Sequence, residues 1–242
     1  MIGFGIDLAG YTTGKTSLAA VEIEGRIAKA TLLRDSALSM KRESGNALAK
    51  ILLQEAAVLR RCLEMGPVAV DVPIDLQGLP NPDRAAYLWE LTRRPIDKAV
   101  NAMPPLADRI GAPVARFAAI LREGKLTDFL GERLFEAYPA GTLKALKIDA
   151  GRYKGKDGVE ALIALCETLK IEPPVTSDDD IDAVICAITA AAPSNGLLDA
   201  LRLKVPGPMP KGFRIPATLS FERVLTNVAP FEDWMMEREA SP

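Results

Sequence analysis

MIGFGIDLAG, residues 1–10, is the stretch whose reading decides the fold. From Ile2 to Leu8 apolar residues alternate along the chain, the period of two that a strand produces and a helix does not. Asp7 interrupts this strand, although acids are depleted in strands and a buried charge needs a partner or a metal. The plainer alternative is an acid that caps the turn at Ala9-Gly10. Ser17 to Ile23 repeats the alternation, Glu24-Gly25 marks a turn, and Ile27 to Leu33 follows, so the chain opens as a three-strand antiparallel meander.

Outward from the meander, Glu43 to Met65 carries Leu48, Ile51, Leu52, Ala56, Leu59 and Leu63 at helical spacing and stops at Gly66-Pro67. Val68 to Pro73 is an apolar run too short for a helix; it fits a buried strand with Asp71 at its carboxyl end, where open sheets bind ligands. Residues 77–131 are rich in Pro and Arg with broken helical patterns at Arg84–Leu91 and Val114–Leu121, which reads as a helical insertion or lid. A strand over Leu134–Tyr138, a brief helix from Thr142, and amphipathic helices over Gly158–Ile171 and Asp178–Ala192 complete the pattern. The tail after Val205 is punctuated by Pro206, Pro208, Pro210, Pro216 and Pro230, so residues 206–242 are expected to form an extension packed on the surface. Together these elements predict an α/β fold with a mixed five-stranded sheet flanked by helices.

Composition narrows the chemistry. There is no histidine among 242 residues, which removes Ser/His and Cys/His nucleophiles and the commonest zinc ligand. A net charge of −2 gives no global attraction to nucleic acid, so such binding would need a local basic patch. Residues 84–125, with Arg84, Arg93, Arg94, Lys98, Arg109, Arg116, Arg122 and Lys125, are the candidate. Cys62, Cys166 and Cys186 sit widely spaced in apolar surroundings and read as buried thiols. With neither a basic signal region nor a run of about 18 apolar residues, the expectation is a cytoplasmic protein that does not enter a membrane.

Further acids lie at positions that match Asp7. Asp71 closes a central strand, with Asp75 four residues on; a turn acid before Pro73 is the alternative. Glu136 lies on the strand face opposite Phe135 and Ala137, where a solvated residue is equally expected. In Ser177-Asp178-Asp179-Asp180-Ile181-Asp182, Ser177 and Asp180 form a capping box, so Asp178 and Asp180 need no functional explanation. Asp182 lies beyond the cap among apolar neighbours, with Asp179 on its side of the helix. Carboxylates converging from two strand ends and a helix repel one another unless a cation sits among them, and hard oxygen ligands select Mg²⁺ or Mn²⁺. Asp7, Asp71, Asp179 and Asp182 are the candidate metal ligands.

Gly5-Ile6-Asp7-Leu8-Ala9-Gly10, Val70-Asp71-Val72-Pro73, Arg94-Pro95-Ile96-Asp97, Phe135-Glu136-Ala137-Tyr138-Pro139, Tyr153-Lys154 and Asp179-x-x-Asp182-Ala183 resemble, in that order, the domain of unknown function 429 family of predicted ribonuclease H-like nucleases. The resemblance spans roughly residues 1–200 and implies a ribonuclease H-like domain over 1–205. It implies that Asp7, Asp71, Glu136 and Asp182 are catalytic or metal-coordinating, that Arg94 and Lys154 contact phosphate, and that the activity is metal-dependent cleavage of nucleic acid phosphodiesters. Three other readings compete. Ala9 to Thr16 matches a relaxed phosphate loop, which requires a helix to follow at once; Asp7-Leu8-Ala9-Gly10-Tyr11-Thr12 loosely fits the nucleotide hairpin of sugar-kinase and actin-like proteins. A non-catalytic binding protein on the same fold is the third.

Overall fold

The first strand, β1 (Ile2–Leu8), lies inside the sheet and sorts its side chains onto two faces. The computed structural model describes residues 1–9, 16–35, 38, 45–76, 92–105, 108–192, 205, 207 and 209–240, with backbone alone at 45–46 and 108–109. β2 (Thr16–Glu24) and β3 (Ile27–Arg34) follow antiparallel, pairing Asp7 with Ser17 and Leu18 with Leu33. Gly25 takes φ +63° in the turn between them, a conformation that costs glycine little. β4 (Val68–Val70) runs parallel to β1, and β5 (Leu134–Glu136) parallel to β4.

Among the described residues the sheet has six strands, in the order β5-β4-β1-β2-β3-β6, where five were expected. The additional strand, β6 (Arg223–Pro230), pairs parallel with β3 along its whole length. It is followed by a helix over Phe231–Glu239 that buries Phe231, Trp234 and Met235. The ring of Trp234 meets Phe4 edge-on at 5.7 Å. Of the expected surface extension over 206–242, residues 223–239 therefore contribute a strand and core side chains. Proline hid this: Pro230 lies at the end of an edge strand, where its missing N–H breaks no internal ladder.

Helices cover both faces. Phe4, Ile6 and Leu8 pack against Leu59 and Leu63 of α1 (Gly45–Met65), Phe117 and Ile120 of α3 (Asp108–Gly124), and Trp234 of the final helix, α7. Between α1 and α3 in the chain lies the short α2 (Pro95–Ala99). α4 (Pro139–Ala145) leaves β5. On the opposite face, Ala19, Val21, Ala30 and Leu32 pack against Leu165 of α5 (Val159–Leu169) and Ile181, Val184 and Ile185 of α6 (Asp178–Ala191). α3, which falls within the expected insertion or lid over 77–131, is thus part of the main helical layer; its Pro/Arg content obscured the apolar stripe. The helical pattern expected at Arg84–Leu91 lies outside the described residues. Among the described residues, no helix is long and apolar enough to cross a membrane.

Candidate functional site

Strand parity builds the site. Gly3, Gly5 and Asp7 share the face of β1 that meets α6, and a β-carbon at Gly3 would lie 2.5 Å from the Ala187 carbonyl oxygen. A β-carbon at Gly5 would run into the backbone of Ala183 and Ala187. Without those β-carbons α6 lies directly on β1, and the first side chain to project past the glycines is Asp7. Asp71 donates its backbone N–H to the Ile6 carbonyl at 2.9 Å, placing it beside Asp7 one step past the end of β4. Asp182, 1% exposed, enters from the second turn of α6. One carboxylate oxygen from each of Asp7, Asp71 and Asp182 lies within 4.8 Å of the others.

Neighbours fix these acids. Tyr153 donates its hydroxyl to Asp182 Oδ1 at 2.7 Å. The ammonium of Lys154 forms ion pairs 2.5 Å from Asp182 Oδ2 and 4.0 Å from Asp71 Oδ2. The backbone N–H of Gly155 donates to Asp178 at 3.0 Å, which ties the same loop to the start of α6. Ser177 caps α6 by accepting from the Asp180 N–H at 3.1 Å, as the capping pattern predicts. Asp180 is more than a cap acid: Ser17 donates to it at 2.9 Å and Arg34 binds it with both terminal nitrogens at 2.9 and 3.0 Å. It pins the start of α6 to β2 and β3.

Burial, then Asp71 and Asp182, hold the Asp7 carboxyl well above the usual carboxylate range. Burial pushes Asp71 up to about 7 against the pull of Lys154, and burial likewise raises Asp182 against Lys154 and Tyr153. These shifts state one fact: three carboxylates with one ammonium carry more negative charge than this site tolerates. The donor set fits a hard divalent cation, whose two charges would complete neutrality for three carboxylates and Lys154. Three oxygens sharing one ion at 2.0–2.1 Å would lie about 2.9 Å apart where adjacent and about 4.2 Å where opposed, so the acids would draw together from the present spacing to hold it.

Glu136 does not join the three. The parallel register pairs Val70 with Glu136, so Glu136 shares the parity of Val70, opposite to that of Ala69 and Asp71. It binds Arg94 through both oxygens, at 2.9 and 2.5 Å, and accepts the Ile74 N–H at 2.9 Å. Arg94, 1% exposed, also binds Asp97 and the Asp75 carbonyl, which occupies all five of its N–H groups. Arg94 therefore has no donor left for phosphate; it braces the loop after Asp71. Asp179 is half-buried on the wall of the adjoining cavity, outside the cluster of three.

That cavity has a volume of about 370 Å³. Asp7, Asp71 and Lys154 lie at one side, and Met103, Ile110, Pro113, Tyr138 and Phe213 contribute apolar wall. The expected basic patch is partly consumed by pairing: Arg116 is buried, paired with Glu55 and donating to the Ala9 carbonyl at 2.7 Å, while Arg122 pairs with Glu123 on the surface. Arg84 and the Arg109 side chain lie outside the described residues. The phosphate-loop reading fails at Thr16, where β2 begins instead of a helix; residues 10–15 are outside the described residues. Sequence reasoning missed Tyr153 as an organiser, because its partner Asp182 meets it across the fold and leaves no local spacing signal, and missed Asp97 although it stands three residues from Arg94.

Comparison with curated proteins and with solved structures finds no match. Residues 107–204, which include Glu136, Lys154 and the acids of α6, match a family described as "Protein of unknown function (DUF429)".

Proposed function

We propose that this protein is a metal-dependent phosphodiester hydrolase of ribonuclease H-like type, with Asp7, Asp71 and Asp182 as the ligands of Mg²⁺ or Mn²⁺ and nucleic acid as the substrate. The observation that carries the reading is the convergence of these three carboxylates, from two parallel strand ends and a helix, within 4.8 Å beside a cavity. A divalent cation bound there supplies Lewis acidity toward water and the departing oxygen. The protein's own groups supply the rest. Tyr153 fixes the orientation of Asp182, the Arg94–Glu136–Asp97 network holds the chain that follows Asp71, and the apolar wall limits water around a bound ester. The meander followed by two parallel strands supports the ribonuclease H-like reading.

The test combines binding and turnover. Mn²⁺ should raise the melting temperature of the wild type and support cleavage of a single-stranded oligonucleotide, and Asp182→Asn should lose both. Loss of cleavage should exceed the roughly 100-fold that removal of an outer-shell partner costs. Cleavage that persists in Asp182→Asn, or a wild type indifferent to Mn²⁺, overturns the reading.

A further inference from the structure

Lys154 occupies an unusual position for a residue expected to contact substrate. Its ammonium lies 2.5 Å from Asp182 Oδ2 and 4.0 Å from Asp71 Oδ2, among the oxygens that would hold a metal. Its side chain is nevertheless 49% exposed and forms part of the cavity wall, whereas that of Asp182 is 1% exposed. The backbone on either side is tied down: Tyr153 through its hydroxyl to Asp182, and Gly155 through its N–H to Asp178. Movement is thereby confined to the four-carbon stem, which ends in a compact charge able to reorient about several bonds. Among the described residues that line the cavity, the other cation is Arg94, and its N–H groups are all engaged.

We infer that Lys154 is a built-in stand-in for the divalent cation: it offsets part of the carboxylates' charge before metal arrives, is displaced when metal binds, and then turns into the cavity to hold the anionic group of the substrate. The inference rests on the metal-dependent reading above. An ammonium and a divalent cation cannot both sit against the same carboxylate oxygens, since each repels the other and both need those lone pairs. Binding of metal and seating of the lysine are therefore competing events, and the displaced ammonium is the one free cation of the described lining that can reach an oxyanion. Removing it has two opposite effects: easier entry for metal and weaker hold on substrate.

Isothermal titration of the full chain with Mn²⁺, after stripping with EDTA, separates the possibilities. Lys154→Gln should bind Mn²⁺ about tenfold more tightly than wild type, while Lys154→Arg, which keeps the charge, should stay within about threefold of it. At saturating Mn²⁺, Lys154→Gln should raise KM for the oligonucleotide more than it lowers kcat. Lys154→Met, which keeps an unbranched apolar stem without the charge, serves as a second variant should the glutamine protein not fold. Mn²⁺ bound no more tightly by the neutral variants than by a wild type that does bind it overturns the lysine's role and leaves the metal reading standing. No Mn²⁺ bound by wild type or by either neutral variant overturns both.

Discussion

Asp71 carries the clearest consequence at the scale of the residue. Its carboxyl is pushed from an ordinary value of 3.8 up to about 7, mainly by burial. The folded protein therefore holds a proton that the unfolded chain has released, and stability falls as pH rises between those values. The metal-free protein should lose resistance to urea from about pH 4 to about pH 7, and saturating Mn²⁺ should flatten that slope; chemical denaturation with and without EDTA measures it. Arg116 offers a second consequence. Its pair with Glu55 is buried on both sides, so Arg116→Met strands a carboxylate and should cost about 3–5 kcal/mol in urea unfolding, with Arg116→Met/Glu55→Leu recovering much of it. Legibility at this scale followed charge in apolar context. Asp182 stands out because nothing nearby in sequence explains an acid there, and Asp7 and Asp71, for which a turn acid was the alternative, because each closes an apolar strand. Arg94 and Glu136 looked the same, and their mutual pairing becomes visible only when the register of β5 sets Glu136 on the parity of Val70.

At the scale of the element, the site depends on how closely α6 approaches β1. Gly5→Ala would force the backbone of Ala183 and Ala187 away, moving Asp182 from Asp7. The substitution should destabilise the fold by about 3 kcal/mol and weaken Mn²⁺ binding in the same variant, since overpacking of this kind shifts backbone. Thermal denaturation and titration check both; unchanged metal affinity in a folded Gly5→Ala protein would separate packing from the site. Ser177→Ala, which removes the cap alone, should cost only about 1 kcal/mol. The meander was legible because alternation writes each strand locally, and α1, α5 and α6 because their apolar stripes are uninterrupted. The role of α3 was obscured by the Pro- and Arg-rich stretch around it: Pro113 lies inside the helix, and Arg116 reads as a surface charge until Glu55 is seen opposite it.

For the whole molecule, the last strand and helix close the fold. Truncation after Glu222 would remove β6 from β3 and strip Phe231, Trp234 and Met235 from the core around Phe4. Such a chain should lose its near-ultraviolet circular dichroism, whereas a surface extension would leave that signal intact. The six-stranded sheet sets the carboxylates at the ends of adjacent parallel strands, the place where such sheets present ligands, and α6 supplies the third acid from above. This arrangement was foreseeable from the order of the acids, whereas the sixth strand was not, because its prolines resemble those of a loop. The central claim is that Asp7, Asp71 and Asp182 share one divalent ion. Crystals grown with Mn²⁺ and measured for anomalous scattering test it most directly: a peak about 2.0–2.3 Å from an oxygen of each of the three, with the Lys154 ammonium moved away from Asp182, is the predicted result. Density with no such peak at saturating Mn²⁺, and Lys154 still seated on Asp182, would contradict it.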